Sequence, residues 1–134
     1  MNYKEQQESN KLIAQFMGGV ITHTKDYEMS HGSHSIGTIE YWGGIRSVPT
    51  DGYEEAKIGI FGYNWSWDWL IPVVEKIESL GTGHVMVENN KCEIVITLDN
   101  KGKKHFSNRF IENSKIESVY LGVVAFIKCY NQNK

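Results

Sequence analysis

The chain has 134 residues, 40% of them hydrophobic and 22% charged, with a formal net charge of −2. That is enough chain for a single core without disulfide or metal staples, and enough apolar side chain to exclude general disorder. The negative balance excludes a general affinity for nucleic acid driven by bulk positive charge.

Taken in chain order, residues from Lys4 to Met17 suit a first helix. Leu12, Ile13, Phe16 and Met17 form its apolar stripe, and Gly18-Gly19 supplies the stop. From Val20 the character changes to Gly, Ser, Thr and aromatics. Short strands are expected at Val20–His23, Thr38–Trp42 and Ala56–Phe61, the last because Ile58 and Ile60 alternate with Lys57 and Gly59. Loops are expected at Ser30–Gly37 and Ser47–Glu55.

The next helix starts after Asn64, with Ser66 or Asp68 as N-cap so that Pro72 falls near the first turn. Leu70, Val73, Val74, Ile77 and Leu80 share one face, and Gly81 and Gly83 close it. Strands follow at His84–Glu88, Cys92–Leu98 and Lys104–Phe110, joined by turns at Asn89-Asn90-Lys91 and Asp99-Asn100-Lys101-Gly102. The last helix opens on a capping box, Ser114-x-x-Glu117. Ile116, Val119, Tyr120, Val123, Ile127 and Tyr130 form its buried face, which Val124 and Phe126 widen.

Cys92 and Cys129 are too few for a disulfide framework and lack metal-ligand spacing, so buried free thiols are expected. Met1 to Gln7 contains no apolar signal core. The longest apolar run, Val119 to Ile127, is about half the ~20 residues a membrane-spanning helix needs. The expected setting is soluble and reducing, in a cytoplasm, without a membrane partner or cofactor.

Three blocks carry a resemblance. They are Asn10-Lys11-Leu12-Ile13-Ala14-Gln15-Phe16-Met17-Gly18; Ser66-Trp67-Asp68-Trp69-Leu70-Ile71-Pro72-Val73-Val74-Glu75-Lys76-Ile77-Glu78; and Ser114-Lys115-Ile116-Glu117 with Phe126-Ile127-Lys128-Cys129-Tyr130-Asn131. Together they resemble the phage ABA-sandwich domain family, small phage and prophage proteins mostly without an assigned activity. The resemblance implies one domain over 1–134 with an α+β fold of α/β/α-sandwich type, three helices packed on a mainly antiparallel sheet. It transfers no catalytic residue. The stretch at about 22–63 departs from the family pattern and reads as an elaboration.

Candidate sites concentrate in that elaboration. His31-Gly32-Ser33-His34, with His23 and an acid from Asp26 or Glu28, has a spacing that suits zinc, yet a full ligand set is not assembled, and loop histidines are the competing reading. No nucleophile elbow or phosphate-binding loop occurs. In Tyr41-Trp42-Gly43-Gly44-Ile45-Arg46 the rings can stack a nucleobase, the arginine can clamp an anion, and the glycines admit a ligand to the backbone. The competing reading is a strand end whose rings are core. Tyr53 and the histidine loop would complete such a pocket. Lys101, Lys103, Lys104, His105 and Arg109 cluster near the second meander turn and would suit an anionic ligand. Trp67 and Trp69 read as core or hydrophobic-staple packing, and Trp65 as exposed.

The ligand-binding candidates are thus Tyr41, Trp42, Arg46, Tyr53, His31, His34, Lys103, Lys104 and Arg109, with no catalytic or metal residue assigned. The expected function is a non-enzymatic phage counter-defence protein, in the host cytoplasm, that binds and sequesters a nucleotide-derived host immune signal. In this scheme its pocket is shared with a neighbouring subunit of a homo-oligomer, so self-association is part of the expectation. The alternative is an accessory protein that docks on a host defence protein and modulates it. A metal-dependent nucleotide hydrolase built on the histidine loop is the minority reading.

Overall fold

A computed structural model of the chain describes residues 1–29, 35–45, 48–98 and 104–132. Helix α1 (Tyr3–Phe16) leads into a hairpin of β1 (Val20–Met29) and β2 (Ser35–Gly43). A 3-10 turn, Thr50–Gly52, and a short helix α2 (Tyr53–Lys57) follow, then α3 (Trp67–Ser79). Strands β3 (Gly81–Glu88), β4 (Lys91–Leu98) and β5 (Lys104–Ile111) form the meander, and α4 (Lys115–Gln132) ends the fold. The expected α+β, antiparallel character is present. The strands, however, divide into a two-stranded sheet β1-β2 and a three-stranded sheet β3-β4-β5, with four helices rather than three on a common sheet.

Helix α4 is the spine. Ser114 Oγ accepts the Glu117 amide at 3.2 Å, the capping bond expected from sequence. Past that start, apolar residues face in on several sides: Val119, Val123, Val124, Phe126 and Ile127 are all buried. One side presses onto β4, where Cys92, Ile94, Ile96 and Leu98 alternate inward as the period-two pattern requires. Gly122 permits the close approach, since a Cβ there would stand 3.3 Å from both Cys92 Sγ and Ile94 Cδ1. Burial of each such aliphatic side chain contributes about 1.5–3 kcal/mol, so this seam is a main source of stability.

Helix α1 joins the spine through Phe16, whose ring meets Phe126 and Tyr130 edge-on at 6.5 and 5.8 Å. Lys76 of α3 donates to the Phe16 carbonyl and holds its ammonium 4.6 Å above the Phe16 ring. A cation therefore sits at the C-terminus of α1, where the helix dipole favours it. The opposite face of the three-stranded sheet is bare among the described residues. Register and alternation place His84, Met86, Arg109, His105 and Ile111 there, all exposed. Among the described residues helices cover one face of that sheet, so the α/β/α layering expected at its strands is matched only in part.

Several local expectations are corrected. The strand expected at Ala56–Phe61 is the end of α2 followed by a bend. Glu55 O accepts from both Ile58 N and Ile60 N, and Gly59 takes φ 84°, which an extended run of L-residues would not adopt. Part of the loop expected at Ser47–Glu55 is the 3-10 turn and the start of α2. The loop expected at Ser30–Gly37 gives way to β2 from Ser35, because the hairpin pairs as far as Met29 with Ser35. Gly81 and Gly83 do not stop α3 but begin β3. A side chain at either would run into the carbonyls of Thr97 or Val95, and Gly83 has φ 147°. Finally, α3 starts at Trp67 after N-cap Ser66, so Pro72 lies in its second turn. The Asp68 carbonyl loses its usual amide donor there, at an exposed position where water can reach it.

Candidate functional site

The elaborated segment converges on a cleft at the foot of the hairpin. Its anchor is Trp42, 4% exposed, whose ring meets Phe61 at 5.2 Å in a T-shaped pair. Phe61, Tyr63 and Trp69 extend this into an aromatic cluster joining β2 to α3. With Trp42 fixed inward, strand alternation turns Tyr41 outward. There Tyr41 stacks on its cross-strand partner His23, centroids 4.4 Å apart and planes within 7°. A register shift between Ile21 and His23 accompanies this pairing. Thr22 Oγ1 donates to the Tyr41 carbonyl at 3.1 Å and lies 3.0 Å from His23 Nδ1, so the stack is held from two sides.

The other wall is α2. Tyr53 opens it, and Lys57 follows one helical turn later, the spacing that brings two side chains together. Lys57 Nζ lies 4.3 Å from the Tyr53 ring centroid and 3.4 Å from Glu54 Oε1. Between the walls is a cavity of about 230 Å³ reached by Thr22, His23, Tyr41, Gly43, Tyr53 and Lys57. Its described lining holds one lysine, one histidine and no carboxylate. That volume is below the ~300 Å³ at which pockets for whole drug-sized ligands begin, so it suits one flat ring system with the remainder of a ligand over the rim. Trp42 Nε1 is buried without a hydrogen-bond acceptor among the described residues.

The structure thus brings Tyr41, Trp42 and Tyr53 to one cleft, with Trp42 serving both as core and as back wall. His31, His34, Arg46 and Lys103 lie outside the described residues, as does Lys101. Lys104 and Arg109 do not join the cleft. Alternation along β5 sends Lys104 toward a second cavity of about 220 Å³ with Phe106, Phe126 and Tyr130, whereas Arg109 pairs in register with Glu93 on the bare sheet face. His105 shares that face, its Nδ1 3.1 Å from Thr97 Oγ1. The described members of the expected basic cluster, Lys104, His105 and Arg109, are therefore divided between two faces. Thr22 and Lys57 were not singled out from sequence, and His23 only as a metal candidate. A Tyr-x-x-x-Lys spacing is informative once α2 is read as a helix, and the Ile58/Ile60 alternation concealed that.

Of the tryptophans at the start of α3, Trp69 is buried in the core, whereas Trp67 is 37% exposed and is not a core residue. Trp65 is 70% exposed, as expected. It stands beside a larger groove of about 500 Å³ between α1 and β2, whose rim includes Tyr3 at 74% exposure.

Among the described residues no three His, Cys, Asp or Glu side chains gather as a metal-ligand set, and no helix is long and apolar enough to cross a membrane. Cys92 is buried, and that burial pushes its thiol up to about 11, the opposite of an activated nucleophile. Cys129 is half-buried rather than buried. No protein-family model, curated protein or solved structure matches the chain.

Proposed function

We propose that this chain is a non-enzymatic binding protein whose ligand is a nucleotide-type small molecule held in the cleft between the hairpin foot and α2. The observation that carries the reading is the convergence of the His23–Tyr41 stack, the Tyr53 ring and the Lys57 ammonium on one cavity without a carboxylate in its described lining. Flat rings offer a base a stacking surface worth about 1–3 kcal/mol, and Lys57 supplies a charge for a phosphate at the rim. The absence of nucleophile and phosphate-loop motifs in the sequence supports binding without turnover. Joined to the resemblance of the three helical blocks, this makes the biological role sequestration of a nucleotide-derived immune signal by a phage counter-defence protein in the host cytoplasm. The α/β/α sandwich belongs to the same proposal, a bare sheet face being where further cover would lie, from a neighbouring subunit for example.

Calorimetric titration with cyclic dinucleotides and ADP-ribose-type nucleotides tests the reading. Stoichiometric binding, without change in the nucleotide and weakened by Tyr53→Ala, is expected. No uptake of any of them would remove it, and turnover would replace it with the hydrolase reading.

A second reading is favoured by the exposure of Tyr3 and Trp65 beside the α1–β2 groove. Aromatics are enriched where proteins dock, and a folded chain gains nothing by presenting two such rings to water. On this reading the chain modulates a host protein by direct contact.

A further inference from the structure

The groove between α1 and β2 is distinct from the nucleotide cleft and is the larger of the two. One wall is a face of α1: Tyr3, Gln6, Gln7, Asn10 and Lys11 recur at helical spacing and all reach it. The facing wall includes three consecutive strand residues, Thr38, Ile39 and Glu40. Side chains on a strand alternate, so three in a row bring the groove to the strand's edge, and Tyr27 of β1 reaches it over Gly37. That edge is unpaired, because β2 has β1 on its other side in a two-stranded sheet. Among the described residues, no backbone hydrogen bond outside the hairpin ladder reaches Thr38, Ile39 or Glu40. Ile58, Ile60 and Trp65 also line the groove, and all three are exposed.

We infer that this groove binds an extended, uncharged peptide segment of another protein, which adds as a third strand to the free edge of β2 and seats its apolar side chains against Trp65, Tyr3 and Ile60. The inference rests on the docking reading and gives it a partner chemistry.

Three considerations fix the occupant. First, an unpaired edge offers alternating amide donors and carbonyl acceptors, and an extended backbone is the ligand that matches them. A two-stranded hairpin is marginal in water, so a third strand also stabilises the one that receives it. Second, the charged side chains at the groove among the described residues are Lys11 and Glu40, and they form an ion pair with each other. A charged side chain of the occupant would find no free counter-charge among them, whereas an uncharged one loses nothing. Third, the lengths agree. From Tyr3 to Lys11 the helix rises about 12 Å, the span of roughly four residues of strand.

Exposed rings explain why this surface recognises side chains as well as backbone. Tyr3 and Trp65 present large rigid areas at low conformational cost, and the planar amides of Gln6 and Asn64 beside them can both donate and accept.

The test is to pan a display library of random short peptides against the full chain, then synthesise the enriched sequences. Uncharged peptides with apolar residues at alternate positions are expected. Their affinity should fall about tenfold or more in Trp65→Ala and in Tyr3→Ala, both surface changes that leave the core untouched. Bound peptide should slow amide hydrogen exchange at Thr38–Glu40, which a ligand gripping only the rings would not do. Tyr53→Ala, in the nucleotide cleft, should bind the peptide as the parent does, so failure of one site is distinguishable from failure of the other. The inference is overturned by no enrichment, by enrichment of charged sequences, by equal binding to Trp65→Ala, or by unchanged exchange at Thr38–Glu40. Self-association that protects the same amides without peptide would also overturn it, since the occupant would then be a second copy.

Discussion

The Tyr120 hydroxyl donates to Asn10 Oδ1 across 2.9 Å, joining α4 to α1 between residues 110 positions apart in the chain. Asn10 in turn donates through Nδ2 to Asn64 Oδ1 at 3.1 Å and lies 3.4 Å from the Phe61 carbonyl. One amide therefore ties the first helix, the last helix and the turn before α3. Both Tyr120 and Asn10 are buried, so a missing partner would not be replaced by bulk water. Tyr120→Phe keeps the ring and deletes the donor, and the expected cost is about 1–3 kcal/mol. Urea unfolding should show a lower midpoint with an unchanged slope; a midpoint equal to that of the parent would mean that the bond contributes nothing.

Burial also sets the alkaline limit of the fold. It raises the Cys92 thiol from 9.0 to about 11 and the Tyr120 hydroxyl from 10.0 to about 12, the latter opposed in part by a hydrogen bond with Ser9. Tyr63 is raised by burial as well. In each case the folded chain holds its proton more tightly than the unfolded chain does. The associated stability is complete below the unfolded values and is lost as pH climbs through the folded ones. Thermal midpoints should thus show no loss from these groups up to about pH 9 and fall from there toward pH 12. In Cys92→Ala the fall should begin about one unit later, whatever the variant loses in packing. An unchanged onset would show that Cys92 is not the first group to titrate.

The meander and the helices were legible because one physical signal dominated each. In β4 the apolar residues obey a period of two, and in α4 a capping box precedes a stripe that only a helix can gather. The hairpin foot was not legible in the same way. Ile58 and Ile60 alternate as strand residues do, but Gly59 at positive φ breaks the run, and Ile60 is 56% exposed. The described part of the basic cluster, Lys104, His105 and Arg109, divides for the complementary reason: proximity in sequence does not survive a strand, whose neighbours face opposite ways. Tyr41 and Trp42 illustrate both. Adjacent in the chain, one became the outer wall of the cleft and the other its core, a division that depends on which face meets Phe61.

Gly122 is a point of close approach between α4 and the sheet. Alanine there would gain up to about 1 kcal/mol of helix propensity, while its methyl pressed on Cys92 and Ile94. Valine adds two further methyls to the same contact, and the propensity gain cannot offset them. Gly122→Val should therefore lower stability by about 1–3 kcal/mol, read from chemical denaturation. If it is neutral, the seam is looser than the 3.3 Å approaches to Cys92 Sγ and Ile94 Cδ1 indicate.

The cleft makes separable predictions about its two kinds of contact. Tyr53 is half-exposed and outside the core, so Tyr53→Ala should leave the unfolding midpoint within about 0.5 kcal/mol of the parent. It removes a stacking face, and nucleotide affinity should fall by about 1–3 kcal/mol at any ionic strength. Lys57→Ala removes charge instead. Its effect should be largest at low salt and shrink as salt screens the lysine, because the ammonium stands at an open rim. Titration of each variant at two salt concentrations separates the cases. Equal salt dependence in the parent and in Lys57→Ala would show that the phosphate is not held by this residue.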